Sequence, residues 1–449
     1  MARLNPRRVA FDILLRIEKE RSYADILLDK ALSRGGLEGP DRGLLTELVY
    51  GVMRRRGTLD HVIDQFASQR CDRLEQAVLA LLRLGLYQVL YLDRIPVRAA
   101  VNETVELAKA LTPRASGFIN AVLRQADRGR GNISYPDRER DLAGFLAARY
   151  SHPIWLVERW IGQLGPDEAE QLAEVMSKPA PVTIRVNTLK GTRENLLGQL
   201  AEDGVQGAPT RYSPHGITIT STPVPPARLS SFREGFFTIQ DESSQLTSLI
   251  LAPIPGERLL DLCAAPGGKA THLAQLMEDS GVLTACDVAG RKLPLIAQTA
   301  ARLGISCITT LALDATRPLA PLGGALFPRI LLDAPCSGLG VIRRNPEGKW
   351  WKKPSDLDTL ALGQRAILRN GADRLSSGGL LVYATCSTSE EENEAVIDDF
   401  LSQRPDFMLE DVRGLFPQWR DIMTNRGFFR SWPHRHGMDG FFAARLKKR

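Results

Sequence analysis

Cysteine is scarce in this chain, with six in 449 residues at positions 71, 263, 286, 307, 336 and 386, and no two stand at the spacing of a zinc cage or a disulfide framework. Reduced, mostly packed thiols follow, apart from any that a motif singles out. Long apolar runs are missing too: the longest, Ala77 to Leu92, is interrupted by Arg83 and falls short of the roughly 20 residues that cross a bilayer. The basic start is followed by apolar residues broken by Asp12, Arg16 and Glu18, so there is no signal-peptide core, and a cytoplasmic protein without a membrane partner is expected. His434 and His436 have no carboxylate or cysteine at matching spacing, so no metal is expected. Neither a Walker loop nor the three-glycine nicotinamide fingerprint is present, which argues against nucleoside-triphosphate and dinucleotide chemistry.

What is present describes a soluble, folded chain. Hydrophobic residues make up 43% and charged residues 24%, and the length implies two to four cores. The net charge of +6 is unevenly placed: residues 1–130 hold 22 basic against 16 acidic side chains, and the remainder balances. The amino-terminal part is therefore the electrostatic handle for a polyanion, unless its charges only solvate a helical surface.

The periodicity divides the chain into three. Residues 1–130 read as an all-α bundle, with apolar positions recurring at three and four in Val9-Ile13-Leu14-Ile17 and in Leu79-Leu82-Leu86-Val89-Leu90. Pro40 and Val97 open helices there, and the tract 128–136 reads as a linker. Residues 137–230 form a small α+β region, with helices near 153–164 and 166–176, a strand at Val182–Asn187, and a Pro-rich close at 222–227. From residue 231 on, strand-length apolar runs alternate with helical patterns. Strands are expected at 258–262, 282–287, 305–311, 330–333 and 380–385, in an α/β Rossmann-like open sheet, mostly parallel, whose ligands lie at the carboxyl ends of its strands.

Those strand ends carry the chemistry. The first leads into Cys263-Ala264-Ala265-Pro266-Gly267-Gly268-Lys269, a turn of small residues that opens a helix and lets a ligand approach backbone amides. Asp261, Asp287, Asp314 and Asp333 stand in or after four successive strands. Each has a capping role open to it, but independent caps need not share one edge of a sheet, and Asp287 is where such a sheet holds ribose hydroxyls. Cys336 and Cys386 follow the fourth and fifth strands, placing two thiols beside the same edge.

Together, Gly235-Phe-Phe-Thr-Ile-Gln-Asp-Glu-Ser-Ser244, Asp261 to Lys269, Asp333-Ala-Pro-Cys-Ser-Gly-Leu-Gly340, Tyr383-Ala-Thr-Cys-Ser387 and Gly437-Met-Asp-Gly-Phe-Phe442 resemble the RNA cytosine-C5 methyltransferases that use S-adenosylmethionine. The bundle resembles the NusB-like RNA-binding domain that precedes this catalytic domain in bacterial enzymes acting on 16S ribosomal RNA. The resemblance implies that residues 263–269 form the cofactor loop, Asp287 binds the ribose, Asp314 lies near the adenine, and Asp333 faces both methyl donor and base. It makes Cys386 the nucleophile and Cys336 the thiol that helps release product. It implies an enzyme, monomeric, with ribosomal RNA as partner. A transfer-RNA enzyme of the same chemistry and a non-catalytic RNA-binding factor on the same fold are the alternatives; the amino-terminal bundle favours ribosomal RNA, and the intact Asp333, Cys336 and Cys386 favour catalysis. Arg343, Arg344, Lys349, Lys352 and Lys353, interleaved with Trp350 and Trp351, either hold phosphates and stack a base or pack inward.

Overall fold

The computed structural model describes residues 4–449. They divide into two compact units, one ending at Pro179 and also containing Ile342–Lys352, the other made of Ala180–Val341 and Lys353–Arg449. Among the described residues no helix is long and apolar enough to cross a membrane.

The first unit is all-α: α1 (Pro6–Glu20), α2 (Ala24–Ser33), α3 (Pro40–Phe66), α4 (Gln76–Tyr91), α5 (Val97–Leu111), α6 (Ser116–Gly129), α7 (Leu142–Tyr150), α8 (Ile154–Leu164) and α9 (Pro166–Met176). Asn5 caps α1 by accepting from the Arg7 and Arg8 amides, and proline stands in the first turn of α3 and of α9, where no amide donor is lost. The apolar α4 is the buried centre. Gly51 of α3 lies against the Tyr87 ring, where a Cβ would sit 2.0 Å from Cζ, so those helices meet only through glycine. Arg83, which breaks the apolar run, is buried and paired with Asp60 at 2.6 Å and Glu18 at 3.0 Å. The tract after α6 lies along α3: the Ser134 amide donates to Gln65 Oε1, and Tyr135 stacks on His61.

The excursion Ile342–Lys352 is built into this unit. Lys349 is fully buried and donates to the Ser151 carbonyl, and Trp350 lies over Gly57 with Arg56 on its face at 5.0 Å. Glu347 accepts from the Ala24 amide at 2.9 Å, and Tyr23 meets Trp351 edge-on. Of the two readings of this basic, aromatic stretch, inward packing is the one found for Lys349 and Trp350.

The second unit contains two sheets. β1 (Val182–Val186), β2 (Gln206–Pro209), β3 (Gly216–Ser221) and β4 (Phe237–Ile239) pair antiparallel in the order β2-β3-β1-β4. β5 (Arg258–Asp261), β6 (Val282–Asp287), β7 (Ile308–Ala312), β8 (Phe327–Asp333) and β9 (Leu375–Thr385) are parallel. β10 (Phe407–Leu409), β11 (Phe429–Ser431) and β12 (Phe441–Lys448) add an antiparallel edge, giving the order β10-β12-β9-β8-β5-β6-β7 with β11 on β12. The chain runs outward through β6 and β7 on one side of β5 and through β8 and β9 on the other, so the switch in strand order lies between β5 and β8.

Candidate active site

The loop from Leu262 to Gly267 joins β5 to the helix Gly268–Leu276. It is fixed from below: the Ala264 amide donates to the Cys286 carbonyl at 2.8 Å, and the Gly267 amide to the Ala264 carbonyl at 2.7 Å. Gly267 has φ +104°, and a Cβ there would meet Ile296 Cα at 3.1 Å, so glycine is required on both counts. Asp287, at the end of β6, accepts from the Ala265 amide at 3.2 Å and from the Ala289 amide at 2.8 Å, which anchors the loop to the neighbouring strand. Cys263 packs within the loop, and burial pushes its thiol well above the usual range. Asp314, beyond β7, accepts from the Thr316 amide and hydroxyl and pairs with Arg317 at 3.3 Å, so it also closes a local turn.

Three titratable side chains crowd the switch point, Lys269, Asp333 and Asp261. Lys269 Nζ donates to Asp333 Oδ2 at 2.6 Å and lies 4.9 Å from the centre of the Phe441 ring. Asp261 is fully buried, and neither carboxylate oxygen has a hydrogen-bond partner. Burial first, and the nearby Asp333 second, push its carboxyl up to about 8. An orphaned buried carboxyl carries a standing desolvation cost, which a cationic or amine donor arriving in the site would offset.

Arg185 supports the loop from β1. Its guanidinium is fully buried and donates to the Gly268 carbonyl at 2.6 Å, Thr271 Oγ1 and Gln275 Oε1 at 3.1 Å each, and Gln240 Oε1. Sequence reading passed over it. The only available signal was a cation in the middle of an apolar strand.

The two thiols meet. Cys336 follows β8 and Cys386 follows β9, two paired strands with Asp333 opposite Ala384, and Cys336 Sγ lies 3.2 Å from Cys386 Sγ. The Gly340 amide donates to the Cys386 carbonyl and the Gly440 amide to the Gly340 carbonyl, both at 2.9 Å, so three motifs converge on one point. A Cβ at Gly340 would stand 1.9 Å from the Gly440 oxygen. The hydrogen bond with Cys386 and then burial push the Cys336 thiol well above its ordinary range, so Cys336 is held protonated at neutral pH. By contrast, His436 is engaged locally, accepting from the Trp432 amide at 2.8 Å.

This geometry has relatives among known proteins. Residues 248–447 match the 16S rRNA methyltransferase RsmB/F family, residues 4–128 the NusB family, and residues 152–225 the ferredoxin-like domain of RsmF/B-like methyltransferases. The chain is 37% identical to the probable ribosomal RNA small subunit methyltransferase B of Bacillus subtilis, with 100% of both chains covered. It is 38% identical to the protein of the same description from Synechocystis, over 99% of this chain and 100% of the relative. A methyltransferase homolog from Pyrococcus horikoshii superposes with a TM-score of 0.59 at 31% identity, covering 68% of this chain and 98% of the other. With that identity sustained from end to end, the chain belongs to the 16S rRNA methyltransferase RsmB/F family and is an RNA methyltransferase.

Proposed function

We propose that this enzyme methylates carbon 5 of a cytosine in 16S ribosomal RNA, with Cys386 as the nucleophile that adds to carbon 6. The observation that carries the reading is the pair of thiols in contact at the ends of β8 and β9, beside Asp333. Carbon 5 of cytosine is a poor nucleophile, and addition of a thiolate at carbon 6 makes it enamine-like, dividing one difficult step into two. Asp333 faces the N3 edge and, by sharing a proton with N3, stabilises the negative charge that develops there as Cys386 adds.

The donor is S-adenosylmethionine, which supplies an electrophilic methyl group. The residues present fit it: the Cys263–Lys269 loop would cradle it, Asp287 would take the ribose hydroxyls, Asp314 would stand toward the adenine, and the unpartnered Asp261 oxygens suit its amino group. Lys269 holds Asp333 in place throughout.

Release follows from the state of the second thiol. Cys336 is kept protonated largely by its hydrogen bond to Cys386. Once the Cys386 sulfur is bonded to carbon, that restraint disappears and the Cys336 proton passes to solvent water, leaving a thiolate free to act as base. Cys336, or a water it positions, then takes the proton from carbon 5; the electrons of that C–H bond restore the ring double bond, and Cys386 leaves as thiolate. The target base must be unstacked for any of this to occur.

RNA partnership rests on the helical unit. A cavity of about 990 Å³ between α5 and α6 is lined by Arg98, Arg124, Asn102 and Asn120, with Lys109 paired to Glu106 and with Asp127 on the same wall, and the two arginines are the groups that would meet a phosphate backbone. The deciding experiment uses RNA carrying 5-fluorocytidine. Cys386→Ala forms no covalent adduct, whereas Cys336→Ala accumulates one even on ordinary RNA; the reverse pattern would exchange the two roles. Bisulfite sequencing of ribosomal RNA from a strain lacking the protein identifies the nucleotide.

A further inference from the structure

Beneath the two thiols lies a carboxylate that the reaction does not use directly. Glu392 is fully buried and takes hydrogen bonds from both cysteine loops. One oxygen accepts two N–H donors, the Ser337 amide at 2.7 Å and Gln364 Nε2 at 3.0 Å. The other accepts two hydroxyls, Ser337 and Ser387, each at 2.5 Å, and these hydroxyls are themselves 3.0 Å apart. Ser337 and Ser387 immediately follow Cys336 and Cys386 in the chain. A single side chain thus ties the residue after one thiol to the residue after the other. Gln364 also reaches the Pro335 carbonyl at 2.9 Å, and the neighbouring Asn393 donates to the Ser387 carbonyl at 3.0 Å, so the tie is anchored on both sides.

We propose that Glu392 is a positioning residue for the methyl transfer, a clamp that holds the Pro-Cys and Thr-Cys loops at the separation across which Cys336 serves the Cys386 adduct. The inference rests on the covalent reading given above. Loops of this kind have no sheet hydrogen bonds beyond their strand ends, and a displacement of about 1 Å between reacting groups costs roughly 100-fold in rate. Four neutral donors converging on one buried carboxylate restrain that displacement more tightly than packing alone. Glu392 also contributes to keeping the Cys336 thiol protonated, consistent with its place beneath that loop.

The chemistry of the four donors separates a clamp from a simple charge. In Glu392→Gln the amide oxygen accepts the two N–H donors and the amide nitrogen donates to the two hydroxyls, which rotate to accept, so the tie survives without the charge. In Glu392→Ala it is lost. The direct readout is the rate at which diamide oxidises the pair: two thiols lose two protons and two electrons to form the Cys336–Cys386 disulfide, and the diazene becomes a hydrazine. Peptide mass spectrometry identifies the bond, and Cys336→Ser gives the background. The expected result is a rate for Glu392→Gln close to the parent and one for Glu392→Ala roughly 10- to 100-fold lower. Donor affinity by calorimetry stays unchanged in both.

Should Glu392→Ala fail to fold, the double variant Ser337→Ala with Ser387→Ala removes the hydroxyl arms alone and is expected to slow disulfide formation and to accumulate adduct on ordinary RNA. Equal disulfide rates in the double variant and the parent overturn the clamp, as does a Glu392→Gln as slow as Glu392→Ala. If the parent protein makes no adduct with 5-fluorocytidine RNA while the oxidation series behaves as expected, the covalent reading falls, and with it the clamp's role in methyl transfer, while the tie between the two loops stands.

Discussion

Replacing Arg185 by methionine separates support of the donor loop from support of the fold. The guanidinium satisfies four buried acceptors, the Gly268 carbonyl, Thr271 Oγ1, Gln275 Oε1 and Gln240 Oε1, all of them neutral. Stranding each acceptor costs about 1 kcal/mol at the low end, so roughly 4 kcal/mol is lost. Against that, burial, with Arg302 nearby, disfavours the charge of Arg185, and removing a buried cation returns several kcal/mol of desolvation. Methionine has a comparable length, which limits the cavity. The two large terms nearly cancel, and the expected stability change is within about 2 kcal/mol, a melting shift of a few degrees. The loop has no such compensation: the Gly268 carbonyl loses its anchor at the turn where the donor binds. Calorimetric titration with S-adenosylmethionine is expected to show a 10- to 100-fold weaker Kd, on the order of 1.4–2.8 kcal/mol. Parental affinity in Arg185→Met, or a loss of stability above about 5 kcal/mol with affinity intact in the folded fraction, would refute the reasoning.

Other expectations follow from charge and burial. Burial and the nearby Asp333 push the folded Asp261 carboxyl from its ordinary 3.8 up to about 8, so between those values the folded state carries the extra proton and stability falls as pH rises. Asp261→Asn removes that slope, measured as melting temperature at pH 5 and pH 8, and weakens donor binding. Lys349 titrates well below 10.5 because of burial, so the unfolded chain binds the extra proton and stability rises with pH toward 10.5; Lys349→Met flattens that rise in a thermal series. Gly340→Ala drives a Cβ into the Gly440 carbonyl and is expected to slow turnover at least tenfold with donor affinity retained, read by methyl transfer and calorimetry side by side. Replacing Arg98 and Arg124 with alanine weakens RNA binding alike for all sequences and lowers the salt slope by about 1 to 2, in a filter-binding series across salt.

The strands of the parallel sheet were legible because each apolar run ends at a turn signal, and β6 spans Val282–Asp287 as the pattern predicts. Helix starts at Pro40 and Val97 were legible for the same local reason. The expected strand at 305–311 is instead Ile308–Ala312, because Ile305 belongs to the turn that closes the preceding helix, its amide donating to the Ala300 carbonyl. The antiparallel edge of β10, β11 and β12 was not read, since those segments are short or lie outside the strand–helix alternation that marked the rest. Nor was the excursion through the helical unit: Lys349 and Trp350 have the composition of a nucleic-acid surface, and only the positions of Ser151, Gly57 and Arg56 decide that they are interior. Glu392 was invisible for a related reason. An acidic run, Glu390-Glu-Glu392, reads as solvated, and one member's burial depends on donors 28 and 55 residues away in sequence.

The passage of residues 342–352 into the helical unit has a consequence for how the chain is made. A ribosome that has finished α9 has supplied every helix of that unit's bundle but not the side chains that fill the space above Gly57 and beside Ser151. Completion waits until residue 352 has emerged, by which time β5 to β8 have already been synthesised. At about 5–20 residues per second the delay from residue 179 is on the order of ten to thirty seconds. During that interval the bundle lacks the Lys349 and Trp350 side chains that meet Ser151, Gly57 and Arg56, and a fragment cut at the end of α9 lacks them permanently.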